Sequence, residues 1–164
     1  RIKTMALIHE KLYQSDDLAR VDFSDYIPAL VDDLFETYKI SPQDIELEVE
    51  VSDGLLDLDQ AIPCGLMLND LISNSLKYAF PNGRKGKISV QLGPNKEGDT
   101  RLVVQDNGIG LPEGFDYRKS KSLGLQLISI LSRQLQGGIE LRSEAGTEFA
   151  ITFPVRSGPM GDRL

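Results

Sequence analysis

The chain has 164 residues, 40% of them hydrophobic and 26% charged, with a formal net charge of −7. That length holds one domain with a full core and is short for two. The acidic balance excludes a surface built for nucleic acid or anionic membranes. The single cysteine, Cys64, excludes an internal disulfide and a cysteine-rich metal site, and beside Ile62 and Leu66 it reads as a buried structural thiol. No run approaches the ~18 apolar residues of a membrane span, and no signal peptide opens the sequence. A cytoplasmic location is expected, with any membrane anchor of the parent protein upstream. Arg1 falls inside a helical pattern without initiator or cap, so the chain reads as a fragment.

In chain order, Ile2, Met5, Ile8, Leu12 and Tyr13 recur at helical spacing, with a stop at Ser15-Asp16-Asp17. A second helix is predicted after Asp22 or Ser24, its wide apolar face running from Tyr26 to Tyr38 and Pro28 placed in the first turn, where a missing N–H costs nothing. Ser41-Pro42 closes that region. Ile45, Leu47, Val49 and Val51 alternate with Glu46, Glu48 and Glu50, the pattern of a half-buried strand. Asp53-Gly54 turns, and Leu55 to Leu58 can add a short strand. A long helix is predicted from about Asp59 to Ala79, with Pro63 in its early turns and Pro81-Asn82-Gly83 closing it. Ile88–Leu92 and Leu102–Val104 read as a hairpin. Residues 107 to 122 form a loop rich in Gly, Pro, Lys and Ser. A helix from about Leu123 to Gln136 stops at Gly137-Gly138, and Ile139–Ser143 and Thr147–Phe153 make a last strand pair. The predicted fold is α+β, a two-layer α/β sandwich with a mostly antiparallel mixed sheet and helices on one face, preceded by a helical remnant.

Three polar clusters interrupt these apolar elements. Asn69, Asp70, Asn74, Lys77 and Tyr78 lie within the long helix, where Asp70 and Asn74 share a face and Lys77 follows a turn later. Such a face can hold hydrated Mg²⁺ and a phosphate; alone, it reads equally as a solvated surface. Asp106-Asn107-Gly108-Ile109-Gly110 follows a strand. Its carboxylate can accept from an adenine amino group and its glycines allow close approach of a ligand, although a simple Asn-Gly turn explains the segment as well. It is not a dinucleotide fingerprint, since Leu111-Pro112 stands where a helix should open, and no Walker motif is present. Ser122-Leu123-Gly124-Leu125-Gln126-Leu127 opens a helix whose free N–H groups suit a phosphate. The loop before it carries Arg118, Lys119 and Lys121 and could close over a nucleotide; a plain helix start is the simpler account.

In this order the clusters resemble a family. NDLISNSLKYAF is similar to the N box, DNGIG to the first glycine box and SLGLQL to the second glycine box of sensor histidine kinase catalytic domains, and Gly146-Thr147-Glu148-Phe149 resembles the Gly-Thr segment of their last hairpin. The likeness runs from about Glu46 to Phe153 and implies the ATP-binding (Bergerat-type) fold shared with type II topoisomerases, MutL and heat-shock chaperones. RIKTMALIHEKLYQSDDLARVDFSDYIPAL resembles the end of the dimerisation region in one subfamily. The domains are therefore expected at 1–40 (end of the dimerisation helices and connecting helix), 41–156 (catalytic domain) and 157–164 (tail).

The resemblance implies that Asn74 ligates Mg²⁺ and that Lys77 and Tyr78 attend ATP. It further implies that Asp106 reads adenine with Thr147 assisting through water, and that Gly108 and Gly110 shape the pocket. Gly124 and Leu125 would lie at the phosphate-side helix start, and Asp70 would take the catalytic position where many relatives have Glu. Ser122 replaces the first glycine of the second box in many relatives. The implied reaction moves the ATP γ-phosphoryl group to a histidine and then to an aspartate of a response regulator receiver domain, in a parent protein that homodimerises through its dimerisation domain. The acceptor is expected upstream, because Ile8-His9-Glu10 falls in the second dimerisation helix. Two other readings share the nucleotide site: a serine kinase of the anti-sigma-factor type, and a non-catalytic ATP-binding interaction module.

Overall fold

The structure, a computed structural model, describes residues 6–11 and 20–155. Ile2, Met5, Leu12, Tyr13, the stop at Ser15–Asp17 and the 157–164 tail lie outside them. Residues 6–11 are helical (α1). There follow β1 (Arg20–Asp22), α2 (Phe23–Thr37), β2 (Ile45–Val51), β3 (Leu55–Asp57) and α3 (Leu58–Asn74), then β4 (Gly86–Pro94), β5 (Thr100–Asp106), α4 (Leu123–Gln134), β6 (Gly138–Arg142) and β7 (Thr147–Phe153).

Caps set the helix starts. The Asp22 carboxylate accepts from Ser24 N–H at 2.9 Å, and Asp57 does the same for Gln60 N–H at 2.9 Å, each satisfying an amide that the helix itself leaves orphaned. Pro28 lies one turn deeper in α2 than the sequence suggested. The carbonyl of Ser24 therefore lacks its usual amide partner four residues on. Burial of Tyr26, Ile27, Leu30, Val31, Leu34 and Phe35 on the same helix outweighs that loss. α2 also ends at Thr37, before Ser41-Pro42.

The main sheet has five strands in the order β2-β4-β5-β7-β6. β2 pairs with β4 in parallel, Ile45 opposite Gly86 and Val51 opposite Leu92. The other pairings are antiparallel, as the hairpin connections of β4–β5 and β6–β7 require; β5–β7 is antiparallel across α4 and β6. Parallel pairing needs a crossover, and α3 supplies it. Period-two alternation decides the faces: Ile88, Val90, Leu92, Leu102, Val104, Phe149, Ile151 and Phe153 are buried against the helices, while Glu46, Glu48, Glu50, Gln91 and Gln105 stay exposed. Lys87 pairs with Glu48 on that outer face.

One apolar cluster includes Ile8, Phe23, Tyr26, Met67, Ile72, Ile128 and Phe153, so α1, α2 and the sheet share a core. β1 and β3 form a separate two-stranded ribbon, Val21 opposite Leu56, tying the start of α2 to the start of α3. Cys64 is buried, and burial pushes its thiol well above the usual range, which keeps it protonated and inert. No described helix is long and apolar enough to cross a membrane.

Candidate functional site

The long helix does not run regularly to Ala79. It is α-helical to Asn74 and then widens into a π-helical turn over Ser75–Ala79, a distortion that recurs at functional sites. The turn is clamped to the loop after β5. Ile109 N–H donates to the Ala79 carbonyl at 2.9 Å, and Gly108 lies so close that a Cβ there would stand 2.3 Å from the same oxygen. No side chain fits at Gly108 without moving backbone.

Beneath this clamp lies a cavity of about 280 Å³, whose lining includes Asn74, Ser75, Tyr78, Asp106, Gly110, Leu125 and Thr147, with Leu71, Val104 and Phe149 as apolar walls. Asp106 ends β5 and is 4% exposed. Its Oδ2 accepts from the Ser75 hydroxyl at 2.8 Å. Its Oδ1 accepts from Gly108 N–H at 3.0 Å and from Thr147 N–H at 3.3 Å. The β6–β7 turn approaches from the other side: a Cβ on Gly146 would lie 1.9 Å from the Asp106 carbonyl oxygen, and its φ of +96° already favours glycine. Strand, turn and loop thus converge on one buried carboxylate, which is the condition for a buried charge to persist.

The remaining sequence-predicted residues spread around this centre. Tyr78 lines the cavity mouth and is largely exposed. Lys77 does not line the cavity. It is exposed, with Nζ 5.5 Å from the centre of the Tyr38 ring, a cation–π contact with the end of α2. Asp70 sits outside the lining and abuts the first turn of α4, where a Cβ on Gly124 would stand 3.7 Å from its carboxyl carbon. Gly124 itself lies outside the lining, whereas Leu125 is buried at the edge. Ser120, Ser122 and Phe115 bring the 107–122 loop to the cavity rim, and within that loop Tyr117–Lys119 forms a short 3-10 turn.

Sequence reasoning missed Ser75. A signal existed: Leu68, Leu71, Ile72, Leu76 and Ala79 are buried on the same stretch, and a hydroxyl among them demands a partner.

Residues 59–157 match the family model for histidine kinase-, DNA gyrase B- and HSP90-like ATPases. The chain belongs to this ATPase family. Residues 1–38 match a second model, described as histidine kinase. Sensor histidine kinase PdtaS of Mycobacterium tuberculosis is 30% identical, with 94% of this chain and 31% of that protein covered. The chain thus spans about a third of the length of that curated relative. Among solved structures, the histidine kinase domain of the Erythrobacter litoralis EL346 blue-light activated histidine kinase superposes with a TM-score of 0.81 at 18% identity, covering 93% of this chain and 72% of that one. Acinetobacter baumannii histidine kinase AdeS gives a TM-score of 0.63 at 18% identity, over 95% of this chain and 77% of that one. The fold is therefore that of histidine kinase catalytic domains, and this ATPase-family domain is homologous to sensor kinases.

The donor set fits the nucleotide and metal of such an ATPase domain. A carboxylate has about four acceptor positions; three are filled here, leaving one on Oδ2 for a ligand amine. Among the described residues no three His, Cys, Asp or Glu side chains gather around a metal position. Mg²⁺ commonly takes few protein oxygens and completes its shell with phosphate and water, and the Asn74 side-chain amide, which lines the cavity, can supply one such oxygen.

Proposed function

We propose that the chain binds Mg²⁺–ATP in this cavity and transfers the γ-phosphoryl group to a histidine nitrogen of the dimerisation region, from which it passes to an aspartate of a response regulator receiver domain. The observation that carries the reading is Asp106: a buried carboxylate on the cavity floor with one acceptor position left over. Asp106 accepts from the adenine 6-amino group, Thr147 assists through water, and the apolar walls exclude competing water from the base. Gly108 and Gly110 let the backbone close on it. Asn74 orients the metal, whose chemistry when bound is neutralisation of phosphate charge. Lys77 and Tyr78 attend the nucleotide from the rim, which for Lys77 means leaving Tyr38. Gly124 and Leu125 bring the N–H groups of the first turn of α4 toward the phosphates, and Asp70, beside that turn, accepts the proton of the ring nitrogen that does not attack.

In this reading residues 1–40 belong to the dimerisation and connecting region of a homodimeric parent, 41–156 form the catalytic domain and 157–164 a tail. The acceptor is not His9. Titration calorimetry tests the nucleotide step: ADP with Mg²⁺ should bind and GDP should not, since guanine offers a carbonyl where adenine offers an amine. Equal affinity for the two would remove adenine from the cavity. Labelled ATP tests the acceptor: the chain should gain no acid-labile, alkali-stable phosphate, and a label lost in His9→Ala would make His9 the acceptor instead.

A further inference from the structure

We propose that Ser75 is a positioning residue for base recognition, acting through Asp106. The inference rests on the adenine reading of the cavity given above. Ser75 is 8% exposed, opens the π-helical turn and lines the cavity beside Asp106. Its hydroxyl has one proton, and that proton goes to Asp106 Oδ2 at 2.8 Å. The direction follows from chemistry: an ionised carboxylate only accepts, so the serine must donate.

Two consequences follow for a ligand entering the cavity. The carboxylate is fixed in rotation, because Gly108 and Thr147 N–H groups hold Oδ1 while Ser75 holds Oδ2. The position still free is on Oδ2, the oxygen that Ser75 orients. Moreover, with its proton given to Asp106, the Ser75 oxygen has only lone pairs to offer. Asp106 and Ser75 then both present lone pairs at this point of the cavity, the complement of an amino group and a mismatch for a carbonyl. Both partners are preorganised by backbone: Asp106 by the β5–β7 pairing that sets it opposite Thr147, and Ser75 by the turn clamped through the Ala79 carbonyl. Little ordering is left to be done on binding.

A serine that merely satisfies the buried carboxylate in the folded protein makes a different forecast, so the test compares ligands rather than proteins alone. Dissociation constants would be measured for ADP and for purine riboside 5′-diphosphate, which lacks the 6-amino group, against the parent, Ser75→Ala and Ser75→Cys. We expect Ser75→Ala to weaken ADP about tenfold, in the range of one hydrogen bond to a charged group, and to leave the purine analogue within about twofold. Ser75→Cys, nearly the same shape with a weaker donor, should fall between parent and Ala for ADP and again spare the analogue. Equal losses for both ligands, or no loss in either variant, overturns the proposal. Should Ser75→Ala not fold, the same two outcomes are read from Ser75→Cys. A parent protein that fails to prefer ADP over the analogue refutes the adenine reading itself, a result distinct from any behaviour of the variants.

Discussion

At the strand end of the cavity, hydrogen bonds join residues far apart in sequence: Ser75 to Asp106 across 31 positions, Thr147 to Asp106 across 41, and Lys87 N–H to the Asn107 side chain across 20. Leu111 N–H still reaches the Ser143 hydroxyl across 32 positions, but along residues 116–126 the bonds join near neighbours. Arg118 N–H donates to Asp116 two positions away, Ser122 N–H to the Ser120 hydroxyl two away, and the Gln126 amide to the Ser120 carbonyl six away. Long-range bonds fasten one element to another, so breaking any of them disturbs the whole. Local bonds travel with the segment that makes them, and such segments open at low free-energy cost. In the proposed reading, base recognition falls to the part held by long-range bonds and cover for the phosphates to the part held by local ones.

The largest effect should come from breaking the strand end in its backbone. Gly146→Ala places a Cβ 1.9 Å from the Asp106 carbonyl oxygen at a φ of +96°, and should cost about 3 kcal/mol of stability or more. Denaturant melts without nucleotide measure it; a loss under about 1 kcal/mol would mean that the turn yields and the contrast fails. Next, Asp106→Asn should weaken ADP by roughly ten- to a hundredfold, because the amide adds a donor facing the ligand amine. Calorimetry reading the same affinity as the parent would detach Asp106 from the base.

Asn74→Ala probes the ground between the two ends. It should abolish the gain in ATP affinity on adding Mg²⁺ while the melting temperature stays near that of the parent; a retained gain places the metal elsewhere. The smallest effect belongs to the loop. Replacing Lys119 and Lys121 together with alanine should reduce ATP affinity only severalfold, more at low salt than at high, with AMP affinity and stability unchanged. A loss as large as that of Asp106→Asn would show that the loop holds the nucleotide as firmly as the strand does.

Much of this was legible in the sequence, for physical reasons. The alternation of Ile45 to Val51 could only be a strand with one wet face, and the observed burial alternates in the same way. Asp106 and its glycines stood out because a carboxylate at the end of an apolar strand is expensive without partners. What could not be read were features created by contacts between distant segments. Of the β1–β3 ribbon, β3 is expected from the sequence as a short strand at Leu55 to Leu58, whereas β1, three residues long, is too short for any period to show. The π-helical turn depends on Gly108 seating against Ala79, and although the apolar run around Ser75 signals that its hydroxyl needs a partner, nothing in the sequence says that the partner is Asp106. Lys77, grouped with the site by helical spacing, instead reaches Tyr38, because spacing gives a residue's face and not the direction of a long side chain.

The parallel pairing of β2 with β4 bears on the order in which the sheet can assemble. Hairpins β4–β5 and β6–β7 close turns of about five residues, whereas Ile45 and Gly86 must meet across about forty, roughly three doublings of loop length and about 1.8 kcal/mol more closure entropy. The β5–β7 pairing bears the same cost, Asp106 and Thr147 standing 41 positions apart, so the hairpins zip first and the two long-range pairings follow, β2 docking once α3 has shortened the path. Truncations in β2, Val49→Ala among them, should then hasten unfolding while leaving the refolding rate nearly untouched. The strand that begins the sheet in sequence thus joins it only after hairpins later in the chain have formed.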